Sequence, residues 1–156
     1  MPKIDLASVP LKTGSIYPEP YAAMMAGRSS LRLGQAGGLT QFGVNIVILQ
    51  PGAVSSLRHW HRSEDEFVMI LDGECVLVQD GGETVMHPGD CATFPAGDPD
   101  GHCFRNRTDR EARFLVVGTK APSEVATYSD VDMVVHVEGT SARFTYKDGT
   151  PWDGPR

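Results

Sequence analysis

From Phe42 to Thr119 the chain is a succession of short apolar runs, each closed by a turn. Phe42 to Gln50 (FGVNIVILQ) is dense in β-branched residues and stops at Pro51-Gly52. Val54 to His61 is followed by Glu66 to Leu71, and Asp72-Gly73 is a dipeptide that favours a hairpin turn. Glu74 to Gln79 then runs into Asp80-Gly81-Gly82. Glu83 to Met86 precedes the turn His87-Pro88-Gly89-Asp90, and Cys91 to Phe94 is ended by Pro95-Ala96-Gly97. His102 to Asn106 and Ala112 to Thr119 flank a polar loop, and Val131 to Val137 adds a last strand. Short strands at near-regular spacing, without alternating helices, specify an all-β antiparallel sandwich or barrel rather than a parallel α/β sheet.

The flanks read differently. Pro10, Pro18 and Pro20 interrupt residues 1–30. Within them Glu19 to Arg28 predicts one short helix, with Pro20 at its start and Gly27 near its end. Leu31 to Gln35 predicts a short strand before the turn Ala36-Gly37-Gly38. Tyr17, Tyr21, Met24 and Met25 read as packing groups of an arm laid on the main domain. Ser141 to Arg156 is polar with interspersed aromatics, which suits an extended tail or lid over an edge strand or across to a partner. The organisation expected is an N-terminal arm (1–30), a β-barrel (31–137) and a C-terminal tail (138–156).

At 156 residues the length suits one domain with a proper core. The net charge of −6 argues against a nucleic-acid footprint. No apolar run approaches the roughly 20 residues of a membrane helix, and the N-terminus lacks the apolar region of a signal peptide. The expectations are no nucleic acid, no membrane, and a cytoplasmic location. Cys75, Cys91 and Cys103 form no C-x-x-C pair and are expected as small buried hydrophobes.

Chemistry concentrates in Pro51 to Glu74. His59 and His61 are two apart, so on a strand both rings address one point while Arg58 and Trp60 face away. Glu66 opens the next strand across a short loop, and His102 starts a strand some way further on. Two imidazoles and a carboxylate form a facial triad, and the third imidazole would make a site of three nitrogens and one oxygen. Such donors suit one divalent transition metal: Fe, Mn, Ni, Zn, Cu or Co. Glu64 competes with Glu66, but it lies in the loop. If the ligands point inward, Val68, Ile70 and Phe104 line the pocket. Asp98 and Asp100 are loop candidates for a general base, although solvation is the simpler reading. His87 and His136 read as solvated, and Asn106 as a turn brace. No catalytic residue is identified.

Gly52, His59, His61, Glu66 and Gly73 resemble the first motif of the cupin superfamily, and Gly89, Pro95, Gly97, His102 and Asn106 resemble the second. Six residues separate Gly52 from His59 where the pattern has five, and four separate Gly97 from His102 where it has two. The resemblance implies an antiparallel double-stranded β-helix, or jelly-roll, of the small single-domain kind, with His59, His61, Glu66 and His102 as ligands. It implies a fold that hosts dioxygenases, isomerases, decarboxylases, lyases and non-enzymatic binders. Function is not settled by fold. The first expectation is a mononuclear metalloenzyme acting on a small organic molecule, with dioxygenase-type oxidation ahead. The alternatives are a metal-containing binding or sensing module, a metal-dependent isomerase or lyase, and a storage or structural dimer with a vestigial site. Pairing of cupins through an edge strand implies a homodimer.

Overall fold

The structure is a computed structural model that describes residues 3–156, so the first two residues of the expected arm lie outside it. Thirteen strands form among the described residues: β1 Leu11–Thr13, β2 Arg28–Leu31, β3 Phe42–Leu49, β4 His59–His61, β5 Glu66–Asp72, β6 Cys75–Gln79, β7 Gly82–Met86, β8 Cys91–Phe94, β9 Cys103–Arg105, β10 Ala112–Thr119, β11 Ser123–Tyr128, β12 Val134–Glu138 and β13 Ser141–Thr145. They pair antiparallel in three sheets, ordered β1-β2-β3-β10-β5-β8, β13-β12-β11-β4 and β7-β6-β9. The chain is an all-β antiparallel jelly-roll barrel.

Burial alternates along the central strands. In β5, Val68 and Ile70 are buried while the chain between them is partly exposed, and in β10 Ala112 and Phe114 are buried around exposed Arg113. Register puts Phe114 between Val47 of β3 and Ile70 of β5, so the inward residues form one layer. Leu49, Val68, Ile70, Phe104 and Phe114 join that core. Each such side chain contributes about 1.5–3 kcal/mol by leaving water. A second cluster packs Ala126, Tyr128, Met133 and Val135 under Tyr17, Tyr21, Phe144 and Trp152.

One glycine is demanded by the fold. Gly73 has φ +74°, and a Cβ there would lie 2.6 Å from the Glu111 carbonyl oxygen and 2.8 Å from Ala112 Cα. The β5–β6 connection can therefore pass against the start of β10 only because position 73 lacks a side chain.

The flanks depart from expectation. Glu19 to Arg28 does not form an α-helix; it is a chain of turns with one 3-10 turn at Ala23–Met25, and its end already belongs to β2. The short strand expected at Leu31 to Gln35 is displaced: β2 ends at Leu31, and Leu33–Ala36 forms a single helical turn, α1. β1 and β2 extend the same sheet as β3, so residues before 31 supply strands as well as packing groups. Met24 is exposed, whereas Tyr17 packs edge-on against Tyr128. Cys75 and Cys103 are buried, but Cys91 is exposed because its side of β8 faces solvent. Of the tail, Ser141–Thr145 is a strand on the edge of the second sheet, paired with β12. Beyond it, Trp152 packs on Tyr146 and the Arg156 guanidinium sits 3.5 Å above the Tyr146 ring.

Candidate metal centre

β4 is three residues long, and its place is fixed from both sides. β11 pairs with it through Tyr128↔His59 and Ala126↔His61. On the other side the His59 N–H donates to the His102 carbonyl (3.1 Å) and the His102 N–H to the His59 carbonyl (2.9 Å). His59 and His102 are thus directly opposed across a ladder, with ring centroids 5.1 Å apart. The period of the strand turns His59 and His61 to the same side. Glu66, at the start of β5, reaches them from the first sheet. The longer Asp98–Gly101 loop leaves His102 at the cluster.

The four side chains meet closely. His59 Nε2 and His61 Nε2 are 3.1 Å apart, His102 Nε2 and the nearer Glu66 oxygen 3.1 Å, and His61 Nε2 and the same oxygen 3.9 Å. One donor atom each from His59, His61 and Glu66 fits within a 4.8 Å span. Ligands about 2.1 Å from an ion and at right angles lie about 3 Å apart, so the separations among His59, His61 and Glu66 fit a shared cation, and His102 joins the group through Glu66.

Tautomers support the fit. His59 Nδ1 lies 2.9 Å from the Leu57 carbonyl, which can only accept. Nδ1 therefore carries the proton, and Nε2 presents its lone pair to the cluster. Two imidazole nitrogens at 3.1 Å need a proton or a cation between them. Burial, reinforced by the neighbouring His61 and His102, pushes His59 down to about 3, which keeps the ring neutral. Burial would raise the Glu66 carboxyl, but the His102 hydrogen bond and the three imidazoles outweigh it and hold it below the usual range. The result is an ionised Glu66 carboxylate beside a neutral His59 ring, a pairing that suits a divalent ion.

Phe94 stacks on His102, with centroids 3.5 Å apart and planes within 6°, and so fixes the ring's orientation. His102 is 3 % exposed and its Nδ1 has no partner among the described residues. Behind His61 and His102 lies a cavity of about 30 Å³ bordered by Trp60, Asp98 and Asp100. Asp98 and Asp100 serve the loop itself: Asp100 accepts from the Asp80 N–H (2.8 Å) and Asp98 from the Asp100 N–H (3.1 Å). They border this small cavity and are not in the wall of the large one described next.

In front of the cluster opens a cavity of about 700 Å³, with His59, His61, Glu66 and His102 in its wall. Phe104 and Phe114 line it, but Val68 and Ile70 do not; they lie beneath, in the packed core. Its carboxylates are Glu64, Asp65, Glu66 and Glu124, and its cations Lys12, Arg28, Arg32 and Lys120. Glu64 stands with its Oε2 4.0 Å from His61 Nδ1 and accepts from the Ala121 N–H (2.8 Å) through the other oxygen. Burial raises its carboxyl. Glu124, 5 % exposed, accepts from the Arg62 N–H (2.8 Å) and the Ser63 N–H (3.0 Å), gripping the loop between β4 and β5.

The remaining candidates sit elsewhere. His87 is exposed and lies 3.6 Å from Glu74. His136 is half-buried rather than solvated, 3.1 Å from the Thr145 hydroxyl, because β13 covers it. Asn106 braces its turn by donating to the Leu49 (2.9 Å) and Arg110 (2.6 Å) carbonyls. Arg58 turns away from the cluster to Asp80 and Asp130.

Comparison with known proteins places this geometry. The family model of the Cupin domain matches residues 45–118. A crystal structure of a sugar phosphate isomerase of the cupin superfamily from Silicibacter pomeroyi is 60% identical, with 98% of each chain covered and a TM-score of 0.96. A β-D-galactosidase of Mycobacterium tuberculosis is 33% identical over 92 residues, 59% of this chain and 76% of that one. The quercetin 2,3-dioxygenase of Bacillus subtilis is 30% identical over 77 residues, 49% of this chain but 23% of the dioxygenase.

Proposed function

This chain belongs to the cupin family, and we propose that it is a metalloenzyme that isomerises a phosphorylated sugar. His59, His61, Glu66 and His102 are assigned as ligands of one divalent transition ion. The observation that carries the reading is the position of that donor set in the wall of a roughly 700 Å³ cavity furnished with cations and carboxylates. Carbohydrate names on two relatives support it. When bound, the ion would polarise a carbonyl or hydroxyl oxygen of the substrate.

The chain's own residues supply the rest. Interconversion of an aldose and a ketose moves one proton between neighbouring carbons and another between their oxygens. Glu64 is the group we assign to carry it. One of its oxygens is occupied by the Ala121 N–H, the other lies 4.0 Å from His61 Nδ1 in the cavity wall, and burial raises its proton affinity. Neutral His59, held in one tautomer by the Leu57 carbonyl, keeps its proton out of the cavity. Phe94 and Phe104 exclude water from one side of the cluster.

The test is NMR in D₂O with metal-loaded protein and a panel of pentose and hexose phosphates. The expected result is interconversion with deuterium entering at the reacting carbon, and a loss of about 10²- to 10⁴-fold in kcat for Glu64→Gln with metal content retained. No conversion and no exchange with any member of the panel would overturn the reading.

A second reading, oxygen-dependent oxidation of a small organic molecule, is favoured by the three-nitrogen, one-oxygen donor set and by the quercetin dioxygenase match. Oxygen consumption under the same conditions separates the two. We also propose a homodimer, which light scattering tests.

A further inference from the structure

β1 and β2 bring to the cavity something its chemistry at the cluster does not use. Arg28 and Ser30 are two apart on β2, so their side chains share a face. Register places Lys12 of β1 opposite Ser30, and Val47 of β3 on Ser30's other side. All four line the large cavity. Across the sheet this face therefore passes from charged and polar at the edge to apolar at the centre.

Arg28 is the unusual member. It is half-buried, its Nε is sealed from solvent, and that nitrogen has no hydrogen-bond partner among the described residues. Among the described residues no carboxylate forms an ion pair with it. Arg32 lines the same cavity, a second cation near enough to act on Arg28. The cavity's own carboxylates are all engaged elsewhere. Glu66 accepts from His102, Glu64 from the Ala121 N–H, Asp65 from the Ala96 N–H, and Glu124 from the Arg62 and Ser63 N–H groups. A guanidinium without a counter-charge inside a cavity is costly, and its fork of donors matches the oxygens of a phosphate. Tyr17, which lines the same cavity as Arg28, packs on Tyr128 (5.4 Å), and Tyr128 on His59 (6.1 Å), so the cavity wall runs on to the cluster.

We infer that Arg28, with Lys12 and Ser30 beside it, is the anion subsite of this cavity and holds the phosphate of the substrate while the remainder extends to the histidine cluster. The inference rests on the cavity being the substrate site, as proposed above, but it can stand or fall on binding alone. Arg28 is then a positioning and specificity residue, distinct from the group that moves the proton. Guanidinium recognition extends to carboxylate as well as phosphate, so the test compares the two.

The experiment is calorimetric titration of metal-free protein with inorganic phosphate, and separately with malonate. Wild type should bind phosphate saturably and more tightly than malonate. Arg28→Met should weaken phosphate about 10- to 100-fold, the loss expected for a charged hydrogen-bonded contact, and Arg28→Lys should recover part of it. Lys12→Met, on an exposed edge strand, should weaken binding less and leave the circular dichroism unchanged; it keeps the test decisive should Arg28→Met fail to fold. Absence of saturable binding, tighter malonate than phosphate, or binding indifferent to both Arg28→Met and Lys12→Met would overturn the subsite. The isomerase reading is separate: phosphate binding lost with Arg28 but no sugar phosphate converted keeps the subsite and removes the reaction, and conversion with a KM indifferent to Arg28→Lys does the reverse.

Discussion

Asn106 joins three parts of the structure, and replacing it shows how far the site depends on a residue outside it. Its amide N–H groups donate to the carbonyls of Leu49, at the end of β3, and Arg110, while its oxygen accepts from the Thr108 N–H (3.0 Å) and hydroxyl (2.8 Å). The side chain is 1 % exposed and lies just past β9, the strand that follows His102. Asn106→Asp keeps the volume, so no cavity opens, but it sets an oxygen against two carbonyls. At about 1 kcal/mol for each lost bond plus the penalty for a buried unpaired acceptor, the loss should be about 2–4 kcal/mol near pH 7. Asn106→Ala adds a cavity and should cost about 3–5 kcal/mol. The corresponding fall in Tm is about 5–15 °C. The Asp variant carries a further signature. Its buried carboxyl would have a raised folded-state pKa, so the folded state holds a proton that the unfolded chain releases. Its deficit should shrink as pH falls from 7 towards about 5. Urea unfolding of metal-free wild type, Asn106→Asp and Asn106→Ala measures all three. A loss under about 1 kcal/mol for Asn106→Asp, at unchanged m-value, would refute the claim that these two donors hold the turn.

Three further outcomes are expected. Gly73→Ala should cost about 2–4 kcal/mol or prevent folding, because the added carbon meets backbone at 2.6 Å and φ is +74°; thermal unfolding of the purified variant, or its absence from the soluble fraction, reads this out. Removing bound metal with a chelator should lower Tm by about 5–10 °C for an ion present at roughly 100 times its Kd, and the same treatment should leave His59→Ala/His61→Ala unmoved; equal shifts in both proteins would place the ion elsewhere. Asp148, held by the Thr150 hydroxyl and N–H and by Arg156, should titrate at about 2 by carbon NMR and move towards the ordinary value in Thr150→Val. Its pKa is lowered on folding, so its contribution is present above the unfolded value near 3.9 and lost as pH falls towards 2.

What was legible in the sequence follows from the same physics. β3, β5, β6, β8 and β10 bury apolar side chains, and their runs and turns could be read within a residue or two of their ends. His59 and His61 were legible because a strand's period puts them together whatever surrounds them. β11 was not: its inward positions are Glu124, Ala126 and Tyr128, so a buried glutamate breaks the apolar alternation that identifies a strand. β2 was missed for a related reason. It borders a polar cavity, and the face turned inward carries Arg28 and Ser30. Strands that line a polar cavity lose the binary signal, and for that reason the residues that sequence reasoning overlooked lie around the cavity. Glu124 and Arg28 had no motif to announce them. Glu64 and Glu66 could be ordered from sequence as loop and strand, but only the structure gives Glu64 its place beside His61.

The four residues of the cluster arrive from three separate sheets: His59 and His61 from the second, Glu66 from the first, and His102 from the chain entering the third. An ion gripped by all of them would act as a rivet through three plates. Without it each sheet can open on its own schedule; with it, none can part from the others before the rivet lets go. Hydrogen exchange at β4, β5 and β9 would then converge on one common rate on loading, and the protein's resistance to unfolding would be set by how fast the ion leaves.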